Sequence, residues 1–526
     1  MATLLQTGQV KTNNVGLSYA RQTALGTIPT SGWKLTEPNS IEGFGAEIST
    51  VAREPISPIR GRRKGTVTDL DSTVSFEADT TMDAIRDFGE GGLFVESTNA
   101  DVTDLAATGA ETTGDSYTGL TALSSEQADK LEIDTLLWVR GGTIAGNNGL
   151  KVVDADIATS ATAISVAENL TDETAAFTIS LAGHRIASGD IVTWTWDAGS
   201  GQATLNSTGI VAAVQALGVV AGQRIHIGSI AAVNGSIQNA FENASANDMF
   251  GYARLLSFSG ADDIIFDKVD AALQFTDATD PASAVDLVFG ELLRDVISSS
   301  SSFCEIAYTF EASYPGLGDG SVGNTDDAYQ YSIDNFVNSI NFDLPLTDKS
   351  TVTYEFIGTD TQNPTTTRVT GPSTAELPDR TAAFNTSNDI ARLRIDDADE
   401  SGLTTDFKSL SFTIANNLSA EKVVGRLGAR FINTGNFFID VEAQLLFTNP
   451  LVINRIRSNA TVTMDFILKN DDGVISVDVP SMTLGGGDRE FPLNESVLIN
   501  TTGQAFIDSR FGNASVLISL FPVPLP

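Results

Sequence analysis

The sequence predicts a mainly β protein: two tandem β-sandwich domains with short flanking helices, the first interrupted by small inserted β-barrel modules. Three observations lead there. Apolar residues recur at every second position in many short runs, helical periodicity is scarce, and one ordered set of segments occurs twice. At 526 residues the chain is long enough for several domains. Hydrophobic residues make up 41% and charged residues 19%, which supplies material for real cores.

The alternating runs Thr66–Ala78, Ser409–Asn416, Asn436–Phe447 and Thr461–Leu468 are rich in Val, Ile, Phe and Thr and read as strands. A short helix is expected after Asp79-Thr80-Thr81, with Met82, Ile85 and Phe88 on its apolar face and its end at Gly89 and Gly91-Gly92. Another follows Thr448-Asn449-Pro450, where Asn449 can cap and Pro450 suits the first helical position. A third is expected over Ser283–Ser298, stopped by the serine run that follows.

The repeat is read from three matches in the same order. EISTVAREPISP (Glu47–Pro58) resembles LSFTIANNLSAE (Leu410–Glu421), and DSTVSFEADTTM (Asp71–Met82) resembles DVEAQLLFTNPL (Asp440–Leu451). YSIDNFVNSINFDLPL (Tyr331–Leu346) resembles ISVDVPSMTLGGGDREFPL (Ile475–Leu493). The stretch between the first helix and the first copy's later strands carries its own duplication, Leu131–Gly141 against Leu217–Gly228, followed by Gly149–Val153 and Gly251–Leu255, then Ala163–Ala167 and Asp263–Asp267. The expected organisation is an N-terminal arm (1–40), a discontinuous first domain (41–97 and 285–357), an inserted pair of β modules (98–284), a linker (358–385) and a second domain (386–526).

Charge is lopsided, with 67 acidic against 31 basic residues and a net of -36. Such a surface repels nucleic acid phosphates. The acidic insertion suits an exposed decoration. The apolar runs are too short for a membrane helix. The opening MATLLQTGQVKTNN has no basic region leading into an apolar core, so no secretory signal is expected.

No arrangement of nucleophile, base or metal ligands stands out, and neither an enzymatic activity nor a cofactor is expected. His184 and His226 stand alone in strand-like contexts, and Cys304, placed in an apolar strand over Phe303–Phe310, reads as a small buried hydrophobe. Neither a GxSxG elbow nor a phosphate-binding loop is present. DDADES (Asp396–Ser401) and NTDD (Asn324–Asp327) lack the spacing of a calcium loop and read as solvated turns. The one basic cluster, Arg60, Arg62, Arg63 and Lys64 with Arg53 upstream, sits between two strands and is better suited to an acidic protein surface than to DNA.

The segment EISTVAREPISPIRGRRKGTVTDLDSTVSFEADTTMDAIRDF, together with FKSLSFTIANNLSAEKVVGRLGARFINTGNFFIDVEAQLLF (Phe407–Phe447) and the strands up to Pro522, resembles the tail tube, or major tail, proteins of siphophages, in a long form with two tube domains. The resemblance implies tail-tube-type β-sandwiches and a structural subunit, made in the host cytoplasm, that assembles with itself into rings stacked as the virion tail. Three chains would suffice for a pseudo-sixfold ring, and a hexamer stays open. Tail tip and tail terminator proteins are the other implied partners, DNA passes through without adhering, and no membrane is involved. By correspondence Glu54–Lys64 and Asn417–Arg430 would be inter-ring loops, with Arg53, Arg60, Arg62, Arg63 and Lys64 as contact residues. Alternation puts Asp69, Asp71, Thr73, Ser75 and Glu77 on one face of their strand, and Asp440, Glu442 and Gln444 on the polar face of theirs. The resemblance makes these the channel-facing candidates. The competing readings are a surface-exposed decoration or adhesin-type binding protein, and an extracellular hydrolase.

Overall fold

The computed structural model describes residues 10–53, 56, 63–187, 190–230, 237–238, 250–276, 284–319, 326–397 and 402–525. Within these the chain is mainly β, with α-helices at Met82–Leu93, Ser125–Asp129, Ile210–Ala216 and Leu451–Ser458. Branched and aromatic side chains at alternate positions fit a pleated surface and favour extended backbone. The expected strands form as Arg63–Asp79, Phe407–Ala415, Phe438–Leu446 and Thr461–Asn470.

The two sequence copies lie side by side in one 17-stranded sheet. Its central run is antiparallel throughout: Pro38–Arg53, Arg63–Asp79, Thr351–Gly358 and Ala328–Leu344 from the first copy, then Phe407–Ala415, Phe438–Leu446, Leu498–Ala505 and Gly473–Glu490 from the second. The copies meet where Ser339 faces Ala415, Phe342 faces Phe412 and Leu344 faces Leu410. Gly16–Arg21, from the N-terminal arm, joins the first copy by pairing with Tyr308–Tyr314. A single apolar cluster runs beneath both copies, from Leu17 to Leu520.

Met82–Leu93 packs against this sheet. Thr81 precedes it in extended conformation, and Asp83 in its first turn suits the positive end of the helix. The helix continues through Gly89, Gly91 and Gly92 instead of ending there, and Phe94 closes it at φ 51°. The glycines permit contact rather than termination: a Cβ on Gly91 would lie 2.7 Å from Tyr308 and 2.9 Å from Val337. Phe88 therefore reaches an aromatic core, 4.8 Å from the Tyr354 ring. At the second helix the Asn449 side chain accepts the Leu451 N–H at 2.9 Å, and helical residues begin at Leu451, one position later than expected.

The helix expected over Ser283–Ser298 is instead two strands, Val285–Val288 and Glu291–Arg294, turning at Gly290 (φ 65°). Its apolar residues, interrupted by Asp286, Glu291 and Arg294, fit neither period cleanly, and burial on both faces decides for strand. Val285–Val288 is paired on both sides, by Phe177–Ile186 and Arg224–Ile230. Cys304 lies ahead of the strand Tyr308–Tyr314 rather than within it, half-buried, and donates its N–H to the Phe94 carbonyl.

In the insertion, Thr135–Arg140 pairs with Gly149–Val152, and Arg224–Ile230 with Gly251–Ser259, in the duplicated order read from the sequence. Asp263–Asp267 extends the second pair, whereas Ala163–Ser165 joins a separate small sheet with Ser116–Thr118. Phe177–Ile186 and Val285–Val288 connect both pairs into one 11-stranded sheet over a common apolar cluster. One side of it is not turned to water. Leu136, Val152, Ala182 and Val288 pack on Ile467, Val474 and Phe521 of the second copy.

Candidate assembly surfaces

Alternation along Arg63–Asp79 buries Leu70, Val74, Phe76 and Ala78. Asp69, Asp71, Thr73, Ser75 and Glu77 take the opposite face, with Ser75 and Glu77 half-buried. On Phe438–Leu446, Ile439, Val441, Ala443 and Leu445 are buried, while Asp440 and Glu442 are exposed and Gln444 is half-buried. The sheet joins these faces. Register carries one row of cross-strand neighbours from Glu77 through Thr353, Asn341 and Thr413 to Asp440 and Gln504. At the junction Asn341 Oδ1 accepts from Ser411 at 3.0 Å and Thr413 at 2.8 Å. The polar face is thus continuous across both copies, with carboxylates on each.

Two of the acids are already engaged. Lys422, in the second copy's loop, places Nζ 2.5 Å from Asp69 and 2.6 Å from Asp71. Its ammonium holds the Asp69 carboxyl below the usual range. Asp440 and Glu442 have no such cation among the described residues.

Of the basic cluster, Arg53, Arg63 and Lys64 are exposed at the far end of the first hairpin, and Arg60 and Arg62 lie outside the described residues. Arg53 stands directly opposite Arg63. Like charges facing each other across a strand pair are unfavourable by themselves. No described carboxylate lies within ion-pair distance of either, or of Lys64.

Among the described residues, the central antiparallel run has an open edge at each end. Pro38–Arg53 has one strand neighbour, Arg63–Asp79, among the described residues. At the opposite end, Met482 and Thr483 have partners on both sides, in Leu498–Ala505 and Thr461–Asn470. From Leu484 to Glu490 the strand keeps only the Leu498–Ala505 side. Just beyond, Phe491 and Leu493 are 75% and 88% exposed. By the sequence match the first copy carries Leu344 and Leu346 there, 4% and 56% exposed, with Leu344 paired to Leu410 of the second copy.

A further cluster went unread in the sequence. Arg224, Arg254 and Lys268 of the insertion and Asp465 and Asp478 of the second copy meet in the interior, each almost fully buried. Arg224 Nη2 lies 3.0 Å from Asp465 and 3.1 Å from Asp478; Arg254 reaches Asp478 at 2.9 Å and Asp267 at 2.6 Å; Lys268 lies 3.3 Å from Asp465. Arg392 bridges Asp270 and Asp465. Burial opposes ionisation of Asp465, yet Arg392, Lys268 and Arg224 hold its carboxyl well below the usual range. The available signal was Asp465 standing inside the apolar run TVTMDFIL.

Asp396 and Asp397, expected in a solvated turn, are instead buried at the end of the strand Ile390–Asp397. Residues 398–401 of that segment, like 324 and 325 of the other acidic one, lie outside the described residues. Burial raises Asp396 to about 6, with Asp465 adding to the shift and Lys268 and Arg392 opposing it. A carboxyl whose folded pKa exceeds its unfolded value stabilises fully below the unfolded value, and that contribution is lost as pH rises through the folded one. Asp396→Asn is therefore expected to flatten the pH dependence of the unfolding midpoint between about pH 4 and 6. Denaturant titrations at several pH values check it; a wild-type slope in the variant contradicts the assignment.

The two histidines are not poised for proton transfer near neutral pH. Burial lowers His184 to about 4 and His226 to about 3, and the His226 ring packs edge-on to Tyr252 at 4.9 Å. No helix among the described residues is long and apolar enough to cross a membrane. Residues 12–494 match the family model described as phage tail tube protein. No curated protein matches the sequence.

Proposed function

We propose, because the chain belongs to the phage tail tube protein family, that its copies join edge to edge into closed rings, which stack as the tube of a siphophage tail and enclose a channel for DNA. Membership makes the protein a structural component of the virion tail that assembles with itself. The finer reading rests on one observation: the sheet crosses from one copy to the next inside the chain and then stops at an open edge on each side.

An unpaired edge presents free N–H and C=O groups and invites another strand, and closure into a barrel removes the edges altogether. The internal joint supplies the pattern. Leu484–Glu490 of one chain would receive Pro38–Arg53 of the next, as Ser339–Leu344 receives Leu410–Ala415. Each chain brings two copies, so three chains make a pseudo-sixfold ring. The polar row through Glu77, Asn341 and Asp440 then lines the channel, where Glu77 and the other carboxylates not held by a cation repel the phosphates of passing DNA.

Negative-stain images of the purified protein are expected to show rings or tubes. A monodisperse monomer at all concentrations would overturn this and return the decoration reading. A ring reconstruction is expected to show three chains, with Asp440 and Glu442 on the inner wall; those side chains on the outer surface would sink the channel assignment.

A further inference from the structure

Each copy has a loop between its first two long strands. In the second copy that loop carries a small hairpin, Ser419–Glu421 with Phe431–Asn433, laid over the first copy. Leu418 and Ile432 pack with Phe336 and Ile357, and the Leu418 N–H donates to Asn338 Oδ1 at 3.0 Å. Gly428 sits so close to the first copy that a Cβ there would come 2.3 Å from the Thr359 carbonyl. Lys422 completes the contact on Asp69 and Asp71. The clasp therefore has two parts, an apolar cover and a cation over a pair of carboxylates.

The second copy bears the corresponding receptor without its cover. Asp440 precedes its helix by the same interval as Asp71 precedes Met82–Leu93. Around it Phe438, Phe506 and Ile507 are 52%, 41% and 61% exposed, and Phe506 directly follows the strand Leu498–Ala505, whose Gln504 pairs with Asp440. The first copy bears the corresponding hairpin, whose described residues are uncovered: exposed Ile48, Val51 and Val67, and the cations Arg53, Arg63 and Lys64. Strand order sets this hairpin at one end of the sheet and the uncovered face beyond the joint in the other half.

We infer that the basic hairpin of one chain clasps the Phe438–Asp440–Glu442 face of a second copy of the chain beside it in the same ring, repeating between chains the contact that Lys422 and its loop make within one. The inference rests on the ring reading and deepens it. It turns the hairpin from an inter-ring peg into a lateral clasp. It also makes the joint directional, because the cations occur on one partner and the uncovered carboxylates on the other.

The test uses the full-length protein with Arg63→Glu and Lys64→Glu together, then Asp440→Lys and Glu442→Lys together, then all four. All these side chains are exposed, so the unfolding midpoint serves as the folding control. Each reversed pair is expected to lower the yield of rings by at least about tenfold, and the fourfold variant to restore it. Raising salt is expected to weaken wild-type ring formation in the same direction. Normal rings from the reversed hairpin, stacked or unstacked, would overturn the inference, as would a fourfold variant that is not restored. Absence of rings from the wild-type protein would instead count against the ring reading itself.

Discussion

Asp465→Ala is expected to destabilise the folded chain by about 3–5 kcal/mol, the usual cost of removing one partner from a buried ion cluster. Asp465 is fully buried and accepts from Arg224 and Lys268, with the Arg392 guanidinium in direct contact. Removing it leaves these cations in a site that water does not reach. Arg224 keeps Asp478 at 3.1 Å, which offsets part of the loss, but among the described residues the carboxylate left within ion-pair distance of Arg392 is the more exposed Asp270. The same argument distinguishes removal of one charge from removal of the whole cluster, since apolar residues of similar volume in place of all members can be neutral.

Asp465→Asn is expected to behave nearly as badly, because shape is preserved and charge is not. The folded pKa of Asp465 lies below its unfolded value, so its contribution is present above about pH 4 and is lost as pH falls toward the folded value. Denaturant unfolding followed by tryptophan fluorescence measures the effect. Trp194 reports on the insertion's core, and Trp138 on its contact with the second copy. A midpoint equal to that of the wild type would show that the cluster does not hold the insertion to the second copy.

The second large effect is on assembly. Phe491→Asp with Leu493→Asp is expected to abolish ring formation while leaving the monomer's unfolding midpoint unchanged. Both side chains are exposed in the single chain, so folding does not depend on them. In a ring Phe491 would be buried as its counterpart Leu344 is at the internal joint, and a large apolar side chain covered contributes about 1.5–3 kcal/mol. Losing Phe491 alone weakens a joint by roughly 1.5–3 kcal/mol, a factor of about ten to a hundred in its equilibrium constant. The new carboxylates would resist burial further. Sedimentation velocity and electron microscopy at matched concentrations measure the outcome, and wild-type rings from the double variant would refute edge-to-edge closure at this end.

The parts of the fold legible in the sequence were those governed by neighbours along the chain. Alternation identified the faces of Arg63–Asp79 and Phe438–Leu446, since successive side chains of a strand must point opposite ways. The same local signal failed at Val285–Val288 and Glu291–Arg294, where Asp286, Glu291 and Arg294 interrupt the apolar residues without a clear period and helix and strand read alike. At Met82–Leu93 glycines that read as a stop proved to be points of close approach, a distinction that depends on Tyr308 and Val337 more than two hundred residues away.

By itself the sequence determined that this is a mainly β protein of strongly acidic composition, and it supplied the expectation of a repeated unit interrupted in its first copy. Only the tertiary structure decided that the two copies share one sheet, which edges stay open, that Lys422 covers Asp69 and Asp71, and that buried charges tie the insertion to the second copy. The division has a physical cause. Periodicity and composition act through adjacent residues, whereas edge pairing and buried ion clusters join residues far apart in sequence, and their partners exist only once the chain has folded.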